Sequence, residues 1–198
     1  MGQRERLSAA DLELFRTVPA AELAANSITR TYRTGELAFR QGEPTTGLWV
    51  VVAGRVALER IGPDGLVFTT GVFIPGEVVG LDGLWESTEY SASARALETP
   101  TSLLWMERKR FIDLHHSNPG FAQALCHMVS AHLRYFQETT ADTRGRPVRR
   151  QVAVFLSTLQ GRFGCDIALT HEELARMMGL RRETVTRVLH EFTLQGWI

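Results

Sequence analysis

The sequence predicts an α+β protein: an N-terminal antiparallel β jelly-roll barrel, one long helix, and a C-terminal helix-turn-helix. Short β-rich runs separated by glycine turns occupy residues 29–106, the spacing of a sandwich or barrel. From Asn118-Pro119 onward apolar residues recur at steps of three and four, as on a long helix. Two short amphipathic segments then flank Gly179.

Taken in order, residues 7–24 read as one or two short helices with Ser8 in the cap position. Strands are expected at Thr31–Thr34, Glu36–Arg40, Gly47–Ala53, Arg55–Ile61, Leu66–Phe73, Val78–Gly80, Ser91–Leu97 and Thr101–Met106. Pro63-Asp64-Gly65 supplies a strong hairpin turn between the fourth and fifth. Residues 107–116 form a short helix, and the long helix runs to about Thr143. Along it Phe121, Leu125, Met128, His132, Tyr135 and Phe136 make a seam that Val129 and Leu133 widen. At about 25 residues this helix is about 37 Å long. That exceeds what a small barrel needs, so the seam is assigned to a second copy in a parallel dimer. Packing wholly on its own barrel is the alternative. Arg144-Gly145-Arg146-Pro147 breaks the helix as a hinge, and another helix covers Val148–Gly161. The domains are therefore a barrel at 1–116, a dimerisation helix at 117–144 and a helix-turn-helix at 145–198.

The last segment carries the chemistry. Thr170 and Glu173 have capping-box spacing, Leu174, Met177 and Met178 give an apolar side, and Gly179 permits a tight turn. In the next helix Val185, Val188, Leu189 and Phe192 fall on one side, and Arg182, Glu183, Thr186, Arg187 and His190 on the other. Arginine bonds guanine O6 and N7 through two parallel hydrogen bonds, and Glu accepts from the cytosine amino group. An ordinary helical hairpin with a solvated face is the plainer alternative.

Charge placement agrees with DNA contact at one end. Net charge is zero, yet residues 144–198 hold nine Arg against five acids and the remainder 13 basic against 17 acidic residues. Such asymmetry suits a localised nucleic-acid surface. The two cysteines, Cys126 and Cys165, lack metal-ligand spacing and are expected to be small buried groups in a reducing compartment. No stretch reaches membrane-spanning length, so a soluble, cytoplasmic protein without a membrane partner is expected.

The order of barrel, helix, hinge and helix-turn-helix resembles the superfamily of the cyclic-AMP receptor protein and the fumarate-nitrate reduction regulator. The segments that carry the resemblance are 35–42 (GELAFRQG), 47–56 (GLWVVVAGRV), 75–80 (PGEVVG) and 182–187 (RETVTR). It implies a cyclic-nucleotide-binding-like barrel and a homodimeric transcription factor reading a palindrome in double-stranded DNA, with RNA polymerase as a further partner of an activator. Arg182, Glu183 and Arg187 match the base-reading positions of the cyclic-AMP receptor type; Thr186 is closer to the fumarate-nitrate type. A half-site like TGTGA follows. Arg182 takes an outer guanine, Glu183 and Arg187 a C·G pair, and Thr186 a thymine methyl. Thr170, Arg181 and Thr184 are placed for phosphate.

The effector region departs from the cyclic-nucleotide pattern. Such pockets follow the glycine at position 80 with a Glu for the ribose and set an Arg-Ser pair on the phosphate. Here those positions read Leu81 and Tyr90, with Ser91 kept. Asp82 is a substitute ribose acceptor if the register slips, and Arg95 a phosphate ligand or an ordinary barrel residue. Gly80, Leu81, Asp82, Tyr90 and Ser91 are thus the candidate pocket. The effector is expected to be an unknown small molecule other than cyclic AMP, or none. A cyclic nucleotide and haem stay open as alternatives, although all six histidines lie at or after residue 115 and no N-terminal cysteine cluster is present for iron–sulfur ligation. No metal or catalytic site stands out. A barrel without histidine argues against a metal-dependent cupin enzyme, and a ligand-binding adaptor without DNA binding would not need the Arg-Glu face. The chain stops at Gly196-Trp197-Ile198, where related proteins continue into a two-stranded wing, so Trp197 is expected to be less covered.

Overall fold

The computed structural model describes residues 9–85, 88–143 and 146–198; the expected Ser8 cap and the Arg144-Gly145 half of the expected hinge lie outside them. The chain forms two compact units, Met1–Met128 and Val129–Ile198.

In the first unit two short 3₁₀ turns, Ala9–Asp11 and Glu13–Phe15, lead into helix α1 (Ala20–Asn26). Eight strands follow: β1 (Ser27–Tyr32), β2 (Leu37–Phe39), β3 (Gly47–Ala53), β4 (Val56–Ile61), β5 (Val67–Phe73), β6 (Val78–Val79), β7 (Ser93–Ala96) and β8 (Thr101–Glu107). They make two antiparallel four-stranded sheets, β1-β8-β3-β6 and β2-β7-β4-β5. Each expected strand is present. The first begins four residues early because all of β1 pairs along β8, Ser27 opposite Met106 and Tyr32 opposite Thr101. At the predicted hairpin the Gly62 N–H donates to the Leu66 carbonyl at 2.8 Å and the Asp64 carboxylate accepts from the Leu66 N–H at 3.2 Å.

Strand β3 is buried on both faces, and its alternation sorts the core. Leu48, Val50 and Val52 join Leu104 and Met106 against Phe15, Leu23, Phe111 and Phe121 on the helical side. Trp49 and Val51 join Val79 and Leu103 against Phe39, Val56 and Ala94 of the opposite sheet and Tyr90 just ahead of β7. Burying one such large side chain stabilises the fold by about 1.5–3 kcal/mol.

Helix α2 (Arg108–Ser117) precedes the long helix α3 (Pro119–Thr143). Asn118 caps α3, its Oδ1 accepting from the Phe121 N–H at 3.0 Å. The expected dimer seam divides here. Phe121 (0 % exposed) stacks on Phe15 at 5.9 Å and meets Phe111 edge-on at 6.1 Å; Leu125 is equally buried, and Met128 packs against the same core. Phe121 and Leu125 therefore belong to their own barrel and not to a partner. The apolar side chains left outside are Val129, Leu133 and Phe136, at 42, 56 and 59 % exposure. His132 and Tyr135 are half-buried, the latter beneath the Arg162 guanidinium, 4.5 Å from the ring centre. The cysteine expectation is also corrected: Cys126 and Cys165 are both exposed. Cys126 lies on α3 beside buried Leu125, one residue round the helix from the face that packs.

In the second unit α4 (Val148–Phe163), α5 (His171–Met178) and α6 (Arg182–Leu194) enclose a core of Val152, Phe155, Leu159, Leu174, Val185, Leu189 and Phe192. Trp197 is 61 % exposed yet held: its backbone N–H donates to the Phe192 carbonyl, its ring stacks on Phe192 at 5.2 Å, and Arg149 lies over both rings. No helix among the described residues is long and apolar enough to cross a membrane.

Candidate nucleic-acid interface

The capping box opens α5. Thr170 Oγ1 accepts from the Glu173 N–H at 3.2 Å, while Glu173 Oε2 accepts from the Thr170 N–H at 2.7 Å and from its hydroxyl at 2.9 Å. Thr170 thus caps the helix start while staying exposed. Arg176 pairs with Glu172 one turn apart at 3.1 Å. Gly179 ends α5 in the left-handed region at φ 63°, where a side chain would be strained, and the Leu180 N–H closes the turn on the Ala175 carbonyl.

Helix α6 then presents two distinct faces. Val185, Val188, Leu189 and Phe192 are buried against α4 and α5, while Arg181, Arg182, Glu183, Thr186, Arg187 and His190 are exposed. Thr184, expected at phosphate, is half-buried. Among the described residues no side-chain hydrogen bond or ion pair engages Arg182, Glu183 or Arg187. Two guanidinium forks and a carboxylate thus stand ready on the first two turns of a helix, where a reading helix meets base edges. Sequence reasoning missed His171. Its Nδ1 lies 3.0 Å from Thr186 Oγ1, linking the start of α5 to the exposed face of α6. The two residues are 15 apart, so no local pattern announces the contact.

The five candidate effector residues do not converge on one pocket. Tyr90 is 2 % exposed and lies between the sheets, stacked on Phe39 at 3.9 Å. Its hydroxyl oxygen accepts from Trp49 Nε1 at 3.0 Å and from the Thr46 N–H at 3.2 Å. Gly80, at φ 69°, touches this plug: a Cβ there would meet Phe39 Cζ at 2.8 Å and Tyr90 Cε1 at 2.9 Å. Leu81 packs instead into the helix-side core, and Asp82 is exposed. Ser91 and an edge of Tyr90 border an open groove of about 710 Å³ with Gln41, Arg60 and Glu89. Arg95 is held by Glu59 in a two-pronged ion pair at 2.9 and 2.7 Å, so its structural reading stands.

Comparison with known proteins decides the family. A model of the cyclic nucleotide-binding domain matches residues 29–118, and one of the Crp-like helix-turn-helix domain matches 150–198. The cyclic AMP receptor protein of Thermus thermophilus is 33 % identical over 168 residues, covering 84 % of this chain and 77 % of that one. The transcriptional activator protein anr of Pseudomonas aeruginosa is 30 % identical over 177 residues, covering 85 % and 72 %. The chain belongs to the CRP/FNR superfamily. It is a transcription regulator of that type, with a cyclic-nucleotide-binding-like barrel and a helix-turn-helix. Its fold is that of the c-di-GMP-responsive global regulator CLP of Xanthomonas campestris, at a TM-score of 0.76, 24 % identity and coverage of 89 % and 91 %. The matched domain model is that of a cyclic nucleotide-binding domain, and the residue at its expected phosphate-binding Arg position is Tyr90. A cyclic phosphate needs a cationic partner; this CRP/FNR barrel sets an aromatic ring at the matching position and ties Arg95 to Glu59, so the cation lining the groove beside Ser91 is Arg60.

Proposed function

We propose that this CRP/FNR regulator acts as a homodimer, each copy laying α6 in a major groove of a palindromic, TGTGA-like site. The observation that supports it most is the partition of α6, with four buried apolar residues opposite the unengaged Arg182, Glu183 and Arg187. Arg182 takes the outer guanine, Glu183 and Arg187 a C·G pair, and Arg181 a phosphate. Replacing Arg187 by Ala is expected to cost about 1–3 kcal/mol on the TGTGA palindrome and to relax preference at one base pair. Fluorescence anisotropy with singly altered duplexes reads both. Equal weakening on every sequence would make Arg187 a phosphate contact, and equal affinity of the unaltered chain for scrambled duplex would end the proposal.

The dimer contact is Val129, Leu133 and Phe136, whose steps of four and three give the spacing of a helical seam. The double substitution Leu133→Glu with Phe136→Glu should leave a monomer in sedimentation at micromolar concentration, with the barrel still folded. A dimer that persists would place the interface elsewhere. The effector is a small molecule other than cyclic AMP, or the protein needs none. The place of action is the cytoplasm, with RNA polymerase the further partner that activation would require.

A further inference from the structure

His171 and Thr186 are both exposed, and their Nδ1 and Oγ1 lie 3.0 Å apart. Among the described residues this is the one hydrogen bond of the Thr186 hydroxyl. A helical threonine ordinarily turns its hydroxyl back to the carbonyl one turn earlier. Thr158 does so on α4, donating to Val154 at 3.0 Å, and Thr193 does so on α6 itself, donating to Leu189 at 3.1 Å. Threonine divides between two χ1 rotamers in a helix because of that bond, and the rotamer decides where hydroxyl and methyl point. At Thr186 the hydroxyl is tied instead to a side chain of the preceding helix. The methyl is the branch left for a base.

We infer that His171 is a specificity-determining positioning residue: by holding the Thr186 hydroxyl it makes Thr186 a reader of the thymine methyl. This rests on the reading of α6 as the DNA-contacting helix. A released hydroxyl both donates and accepts, so it serves several bases alike; a fixed methyl favours the one base that carries a methyl in the major groove.

The test uses the full chain and TGTGA-palindrome duplexes in which each thymine is replaced singly by uracil, removing only the methyl. The unaltered protein should lose affinity roughly fivefold at one thymine of each half-site, the low end of a single-base-pair effect. His171→Ala should abolish that loss while leaving the response to changes at the guanines, and the dependence on salt, as they were. Thr186→Val carries a methyl on both branches, so adding it to His171→Ala should restore the uracil penalty. Damage to α5 alone would not be repaired that way. An unaltered protein with no uracil penalty, or a His171→Ala variant that keeps the penalty or weakens all duplexes equally, overturns the inference while the reading of α6 stands. Failure of the unaltered chain to distinguish the palindrome from scrambled duplex removes that reading and this inference with it.

Discussion

Phe121→Ala is expected to lower stability by about 3–5 kcal/mol, the cost of deleting a buried ring and leaving a cavity. The ring is fully buried and touches Phe15 and Phe111, so three elements lose a common contact at once. Urea unfolding followed by far-UV circular dichroism measures it as a fall in midpoint at unchanged slope. The control is Leu133→Ala, further along the same helix and 56 % exposed. That change should leave unfolding of the isolated chain within about 0.5 kcal/mol, as for other surface substitutions, and act on self-association alone. If Phe121→Ala left stability untouched and dissociated a dimer, α3 would have to present the opposite face to its own barrel.

The contrast shows what the sequence carried and where it stopped. Helical spacing groups Phe121, Leu125, Met128, His132, Tyr135 and Phe136 on a broad stripe, but period alone does not say what lies against that stripe. The barrel core takes its first three residues, and the outward side falls to Val129, Leu133 and Phe136. Elements fixed by local chemistry were legible: Pro63-Asp64-Gly65 turns as its residues demand, Thr170 and Glu173 close a capping box, and Gly179 adopts positive φ. The two faces of α6 were legible for the same reason, since burial there follows a clean 3.6-residue period. Contacts between residues distant in sequence were not. Nothing near His171 marks its bond to Thr186, and nothing near Arg95 marks Glu59. The cysteines misled because type preference for burial is an average, and an exposed helix position overrides it.

Tyr90 shows how a departure from a family pattern becomes structure, and its removal is the second large effect expected. At a position where a phosphate-binding Arg would face a ligand, an aromatic ring faces Phe39 and closes a hydrogen bond with Trp49. Tyr90→Ala should cost about 3–5 kcal/mol through the lost ring, and it strands the Trp49 N–H, which is buried at 2 % exposure. Tyr90→Phe separates the two contributions: it keeps the stack on Phe39 and deletes only the acceptor, so about 1–3 kcal/mol is expected for one unsatisfied buried donor. Both variants are read by thermal and urea unfolding, and the order Ala worse than Phe worse than Tyr is required. Tyr90→Arg goes further, since it restores a cation without making room for it. Arginine must then either expel itself to solvent or bury a charge beside Phe39 and Trp49, and burying an unpaired charge is the costlier course. Calorimetric titration of that variant with cyclic AMP should therefore show no binding unless Phe39 is also reduced in size. Binding by Tyr90→Arg alone would mean that the ring is a replaceable ligand substitute and not a packed part of the core.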